Sequence, residues 1–289
     1  MDNIGLGLFS IPKILENDLE GSIKIMSKIG IREFELYGPY PFSSEIEKES
    51  WALVTPKLGF SASGFYNHSP EHFKALLQQY QITAPSMHTD LYTLESNMVE
   101  LAKASRIMGA KYVVLPFIPE SERLDLDSYK KMAERFNEIG RQAKEEGVKF
   151  AYHNHGYGLI PEDGVVPLEL ILKGTDLEIV FFEMDLFWTT AGKANPIELL
   201  KRYEGRYKLL HIKDMKKITN FKGKGSTYVE WMELFPLLVP SGEGAIPLKE
   251  IIETAQKTGI EHYFIEQDLA GDPIGDIETS FKYLEGLRF

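Results

Sequence analysis

Short β-rich runs alternate with stretches of helical period along the whole chain, and this alternation restricts the fold more than any other feature. The β-rich runs cover residues 4–9, 33–37, 82–88, 112–116, 149–155, 178–187, 208–213 and 263–267. Between them, apolar residues recur at three- and four-residue steps, as in Tyr129, Met132, Ala133, Phe136, Ile139 and Ala143, which places one stripe on one helix face. The punctuation agrees. Asp127 and Gly147 are expected to bound that helix, Asn195-Pro196 to open another that Gly205 closes, and residues 247–259 to repeat the arrangement. Eight strands separated by helices predict parallel βαβ units, and a count of eight favours closure into a (β/α)8 TIM barrel over an open sheet.

The 289 residues exceed a typical domain, but barrels of this size fold as one unit, so a single domain spanning 1–289 is expected. Residues 38–81 carry two helix-like segments and a candidate short strand at 60–65, and read as an elaboration after the second strand. The stretches 156–167 and 216–228 read as long loops after strands five and seven, where barrels build their active sites. A net charge of −11 repels phosphate backbones and anionic surfaces. The densest basic stretch, 213–224, is short, so neither a nucleic-acid nor a membrane partner is expected. With no cysteine, disulfides, thiolate ligands and thiol nucleophiles are excluded. No signal-like N-terminus and no bilayer-length apolar run is evident, which makes a cytoplasmic location the default expectation. A homo-oligomer is compatible with the sequence.

Polar residues gather where the expected strands end: His88, His153 with His155, Asp185, His211 and Glu266. Four of the seven histidines therefore fall on the C-terminal strand ends, the functional face of such a barrel. Side-chain alternation puts His153 with His155, Glu183 with Asp185, and His211 with Lys213 on the inward faces, opposite Phe182, Met184, Leu210, Ile212 and Ile265. Buried carboxylates and imidazoles are costly unless a cation or mutual pairing compensates them. Such a set suits Mn²⁺, Zn²⁺, Co²⁺ or Fe²⁺, and Mg²⁺ less well. Each residue also has a simpler reading, as a helix cap or a hydrogen-bonded structural histidine. For Glu183 an ion pair with Lys213, one layer below the mouth, is the expected role.

At these positions the runs Phe150 to His155 (Phe-Ala-Tyr-His-Asn-His), Glu183 to Trp188 (Glu-Met-Asp-Leu-Phe-Trp), Leu209 to Asp214 (Leu-Leu-His-Ile-Lys-Asp), Gly242-Glu-Gly244 and Phe264 to Asp268 (Phe-Ile-Glu-Gln-Asp) resemble the xylose isomerase-like TIM-barrel superfamily, in particular its sugar phosphate isomerase/epimerase branch. The resemblance runs in order over nearly the whole chain. It implies one divalent metal held by His153, Asp185, His211 and Glu266, with His155 as an alternative ligand on strand five. His153 departs from the pattern, because ketose epimerases of the superfamily carry a glutamate there, and Trp188 stands where they often have a histidine.

The implied activity is that of an isomerase, an epimerase or a related dehydratase acting on a sugar or keto-sugar. A proton is taken from the carbon next to a carbonyl, and the metal stabilises the enediolate. Glu266 is the expected base, with His155 or His88 as acid/base partner and Lys213 polarising a substrate oxygen. Tyr157, Phe187 and Trp188 are expected to wall the substrate. Two rivals share the barrel: an endonuclease IV-like metal-dependent phosphodiesterase, which needs a basic DNA track, and a non-catalytic sugar-binding barrel.

Overall fold

In the computed structural model, which describes residues 4–268 and 270–287, eight parallel strands close into a barrel. The ten strands are β1 (Gly5–Gly7), β2 (Glu33–Tyr37), β3 (Thr83–His88), β4 (Tyr112–Leu115), β5 (Lys149–His153), β6 (Val180–Asp185), β7 (Tyr207–Ile212), β8 (Asp214–Met215), β9 (Leu238–Val239) and β10 (His262–Ile265). The barrel runs from β1 through β7 in order and closes through β10, which pairs with both β7 and β1. β8 and β9 form a separate antiparallel ribbon above β7. Among the described residues, no helix is long and apolar enough to cross a membrane.

The period of two along each strand separates two cores. Phe182, Met184, Leu210, Ile212 and Ile265 face outward and join the main apolar cluster beneath the helices. Inside the barrel Tyr112, Val114, Ala151, Leu209 and Phe264 form a small apolar plug. Toward the mouth, the inward positions of β2, β3, β5, β6 and β7 carry Glu35, His88, His153, Glu183 and His211, all buried. The barrel is thus greasy below and polar toward its mouth.

Local chemistry sets the element ends. The long helix Leu126–Glu145 is capped by Asp125, not Asp127: the Ser128 N–H donates to Asp125 Oδ1 at 2.8 Å. β6 stops at Asp185 because its carboxylate accepts the Trp188 N–H at 2.8 Å and starts the helix Leu186–Ala191, so Leu186 and Phe187 are helical rather than strand. β5 ends at His153, leaving His155 in the following loop. The helix Pro196–Arg202 opens on Asn195 as expected but closes at Tyr203, two residues before Gly205.

The segment after β2 holds helices Glu45–Leu58 and Pro70–Gln79. Residues 60–65 do not form a strand. Their backbone is taken up elsewhere, with the Ser61 and Ala62 N–H groups donating to Glu16 Oε1 and the Gly64 N–H to the Tyr37 carbonyl. The left-handed turn at Gly64, Tyr66 and Asn67 then rules out extended pairing. Phe60 and Phe65 still reach the core, from a loop.

Candidate active site

Parallel register brings the strand-end residues together. Across β5 and β6, His153 is paired with Glu183; across β6 and β7, Asp185 is paired with His211; Phe264, two residues before Glu266, is paired with His211 across β7 and β10. Side chains two apart share a face, so the polar groups stack in two layers.

The inner layer centres on Glu183, whose side chain is fully buried. His88 Nε2 lies 2.8 Å from its Oε2, His153 Nδ1 3.0 Å from the same oxygen, and His211 Nε2 3.3 Å from Oε1. Glu35 from β2 adds a second carboxylate, 3.0 Å from His88 Nε2 and in close contact with His211 Nε2, and it accepts the Ser86 hydroxyl at 2.6 Å. The expected pairing of Glu183 with Lys213 is therefore wrong. Lys213 lies a layer higher on its strand, and three imidazoles surround Glu183 instead.

The outer layer centres on Lys213. Its Nζ lies 2.6 Å from Glu266 Oε2, 2.9 Å from Asp268 Oδ2 and 3.1 Å from Asp185 Oδ2. His211 Nδ1 meets Glu266 Oε2 at 2.7 Å, and His153 Nε2 faces Asp185 Oδ2 at 3.8 Å. His153 and His211 thus present one ring nitrogen to each layer.

The charges are set by these neighbours. Burial opposes protonation of His88, but Glu35 and Glu183 push it up to about 9. His211 is buried too, and Glu183, Glu266 and Glu35 raise it well above the imidazole range. His153 is lowered by burial and by the His211 charge. Burial would raise Glu183 and Glu266, yet His211 and its cationic neighbours hold both well below the carboxylate range. Burial lifts Asp268 to about 6 against the pull of Lys213. Burial also works against Lys213, whose pKa the carboxylates around it raise.

A divalent cation fits this chemistry. Asp185, His211 and Glu266 each bring a ligand atom within 4.8 Å of the others, and the buried Asp185 Oδ2 has no well-formed hydrogen bond. Five carboxylates (Glu35, Glu183, Asp185, Glu266 and Asp268) face one lysine and two imidazoles that favour the charged form. This surplus of negative charge calls for a compensating cation, because uncompensated it would cost several kcal/mol to bury.

The mouth is aromatic. The half-buried His155 stacks on Trp231 with ring centroids 4.9 Å apart and on Trp188 at 5.7 Å, while Phe117 meets it edge-on at 6.4 Å. Burial, helped by the charges of His153 and Lys213, lowers His155 well below the usual imidazole range, and a backbone hydrogen bond to Pro116 works the other way. Its Nδ1 has no hydrogen-bond partner.

Of the expected walls, Trp188 and Phe187 are both fully buried, Trp188 stacked beside His155 and Phe187 meeting Trp188 edge to face at 4.9 Å, so neither presents a free face. Tyr157 is buried under the Arg123 guanidinium, and its hydroxyl accepts the Ile118 N–H at 2.7 Å. Sequence reasoning missed Glu35, Asp268, Phe117 and Trp231. Glu35 shares the inward parity of β2, which was the available signal, and Asp268 follows Glu266 by two. Nothing local marks Trp231, which arrives on the helix Tyr228–Leu234 within the long segment after β7.

Behind the outer layer, Asp214 accepts the backbone N–H groups of Met215, Gly242, Gly244 and Ile246 at 2.8 to 3.1 Å. A Cβ on Gly244 would lie 2.2 Å from Asp214 Oδ1, so the Gly-Glu-Gly turn is what allows this approach.

Residues 23–286 match the family model described as xylose isomerase-like TIM barrel. An inosose dehydratase of Clostridium tetani is 24% identical over 281 residues, covering 93% of this chain and 90% of that one. A crystal structure of a sugar phosphate isomerase/epimerase from Parabacteroides distasonis superposes with a TM-score of 0.73 at 23% identity, over 98% of this chain and 93% of that one. An IOLI protein solved with a zinc atom superposes with a TM-score of 0.69 at 16% identity, over 99% and 97% of the two chains. With the family match spanning nearly all of the barrel and the strand-end cluster in place, the chain belongs to the xylose isomerase-like TIM-barrel family.

Proposed function

We propose that this protein is a metal-dependent lyase that removes water from a cyclic keto-polyol, and that His155 moves the proton. The observation that carries the reading is the placement of His155: an imidazole with an unpartnered Nδ1, held between aromatic faces at the mouth, next to a carboxylate and imidazole cluster that fits a divalent ion. Inosose dehydratases among the relatives supply the substrate class, and the zinc-bound structural relative agrees with a metal.

The residues that would hold the ion are His153, Asp185, His211 and Glu266, and a bound ion would supply Lewis acidity toward a carbonyl oxygen. Glu266 Oε2 is engaged by both His211 Nδ1 and Lys213 Nζ, so we assign it to binding. Glu35 and Glu183 engage His88 in the inner layer, which leaves His155 as the base. Lys213 has three N–H donors facing Asp185, Glu266 and Asp268, and we assign it to fixing those carboxylates.

In the proposed step, His155 Nδ1 takes the proton from the carbon next to the carbonyl, and the electron pair moves into the carbonyl to give an enolate. When the carbonyl re-forms, the hydroxyl on the next carbon leaves, taking the proton from His155 as water. The aromatic rings around His155 exclude solvent, and the half-buried Trp231 offers a flat face to a ring. Return of the proton without hydroxyl loss would make the same site an isomerase or epimerase; the relatives' names favour dehydration.

Purified protein loaded in parallel with Mn²⁺, Zn²⁺ or Co²⁺ and offered inososes, ketoses and 3-keto-sugars should form a conjugated, ultraviolet-absorbing product only from cyclic keto-polyols. Turnover confined to open-chain aldose–ketose interconversion would reject the dehydratase reading.

A further inference from the structure

The inner layer has the make-up of a cation site in its own right. His88 Nε2, His153 Nδ1 and His211 Nε2 point at one carboxylate, Glu183, from three different strands within 3.3 Å, and ligand atoms from all four residues lie within 4.8 Å of one another. An imidazole lone pair facing a carboxylate oxygen is repulsive, so something positive must stand between each pair, either a proton on the ring or a metal ion. Among the described residues no lysine or arginine ion-pairs with Glu183 or Glu35; the ammonium of Lys213 is engaged by the outer carboxylates. Glu183 Oε1, fully buried, has no hydrogen-bond partner of good geometry.

We propose that His88, His153, Glu183 and His211 form an alternative, inner position for a divalent ion, one layer below the set Asp185, His211 and Glu266. Three imidazoles and one carboxylate make a borderline, nitrogen-rich donor set that suits Zn²⁺ or Co²⁺, whereas the outer set is richer in oxygen. His153 and His211 serve both positions, each through a different ring nitrogen. With an ion below, their upper nitrogens can keep protons and donate to Asp185 and Glu266; with an ion above, their lower nitrogens donate to Glu183 and Glu35. One ion at a time is therefore the arrangement that leaves each shared ring neutral and satisfied. Entry is from the mouth beside His88, which at 9% exposure is the most accessible of the four. Lys213 biases the choice, because its ammonium already neutralises part of the outer carboxylate charge.

The inner position stands independently of the dehydratase reading and is tested without turnover. Co²⁺ is titrated into the wild type, Asp185→Asn, His88→Gln and the double variant, with bound cobalt measured after gel filtration, visible d–d absorption recorded, and folding checked by circular dichroism. The expected result is that Asp185→Asn keeps its ion with the intense bands of a nitrogen-rich, low-coordinate site. His88→Gln should keep an ion with the weaker bands of an oxygen-rich site, and the double variant should lose it. If the folded Asp185→Asn protein binds no cobalt, or if cobalt bound to it is unaffected by adding His88→Gln, the inner position is overturned. Should His88→Gln not fold, Asp185→Asn decides alone: loss of cobalt, or weak oxygen-type bands, refutes the proposal.

Discussion

The histidines at the mouth differ in proton affinity because they face different neighbours. The carboxylates beside His88 and His211 raise their pKa, whereas burial among aromatic rings lowers that of His155. Sequence parity could place these residues on one face but could not distinguish the roles, because the decisive neighbours come from β2, β6 and a distant helix. The same limitation produced the wrong partner for Glu183. Parity gave Glu183 and Lys213 the same inward direction but not their depth, and Lys213 sits two residues beyond His211, where its ammonium meets Asp185 and Glu266. At this scale His155→Phe should leave metal content and folding unchanged while lowering kcat by about 10²- to 10⁴-fold, the usual worth of a positioned base. A variant retaining near-normal kcat would remove His155 from the mechanism.

Among the elements, two segments outside the barrel strands govern the site and the pH response. The helix Tyr228–Leu234 is fixed by a reciprocal capping box between Thr227 and Glu230, and the indole N–H of Trp231 donates to the Gly225 carbonyl at 2.8 Å. This presents Trp231 flat against His155. Replacing it by alanine removes one stacking face, so kcat/KM should fall about two- to tenfold, in line with roughly 0.5–1.5 kcal/mol for an aromatic pair, with the thermal midpoint little changed. An unaltered kcat/KM would place Trp231 outside the substrate's reach.

The helix Glu45–Leu58 carries Glu47, whose carboxyl burial, reinforced by Asp90, pushes up from 4.5 to about 8. A folded-state pKa above the unfolded value favours the folded protein while the group is protonated. That contribution is complete below about 4.5 and is lost as pH rises through about 8. Glu47→Gln should therefore flatten the decline in urea midpoint between pH 6 and pH 9. An identical decline in wild type and variant would show that Glu47 does not carry it.

For the molecule as a whole, the architecture was legible because the barrel repeats one signal eight times: an apolar alternating run, then a helix with caps. β2 agrees to the residue with the expected run, and β3, β4 and β7 agree within one residue at either end. Misplacements cluster at strand ends, where a cap such as Asp185 or a loop such as 60–65 answers to contacts made by remote residues. Of the four expected ligands, Asp185, His211 and Glu266 bring ligand atoms within 4.8 Å of one another, while His153 groups with His88, Glu183 and His211; the cage around them does not show in the sequence, since Glu35 is an ordinary inward residue until β2 lies beside β3 and near β7. Because the greasy plug and helix packing lie beneath this cage, Asp185→Ala should empty the outer metal position, leaving bound cobalt with the intense bands of the inner set, yet leave circular dichroism unchanged. Loss of the folded signal would mean that the carboxylate is structural.

Incubating metal-loaded protein with an inosose in D₂O and following it by proton NMR tests proton abstraction next to a carbonyl most directly. The account predicts deuterium in the product or in recovered substrate, at the carbons flanking the carbonyl, and its disappearance in the His155→Phe variant. A substrate turned over with every carbon-bound hydrogen retained, in product and residue alike, would contradict it.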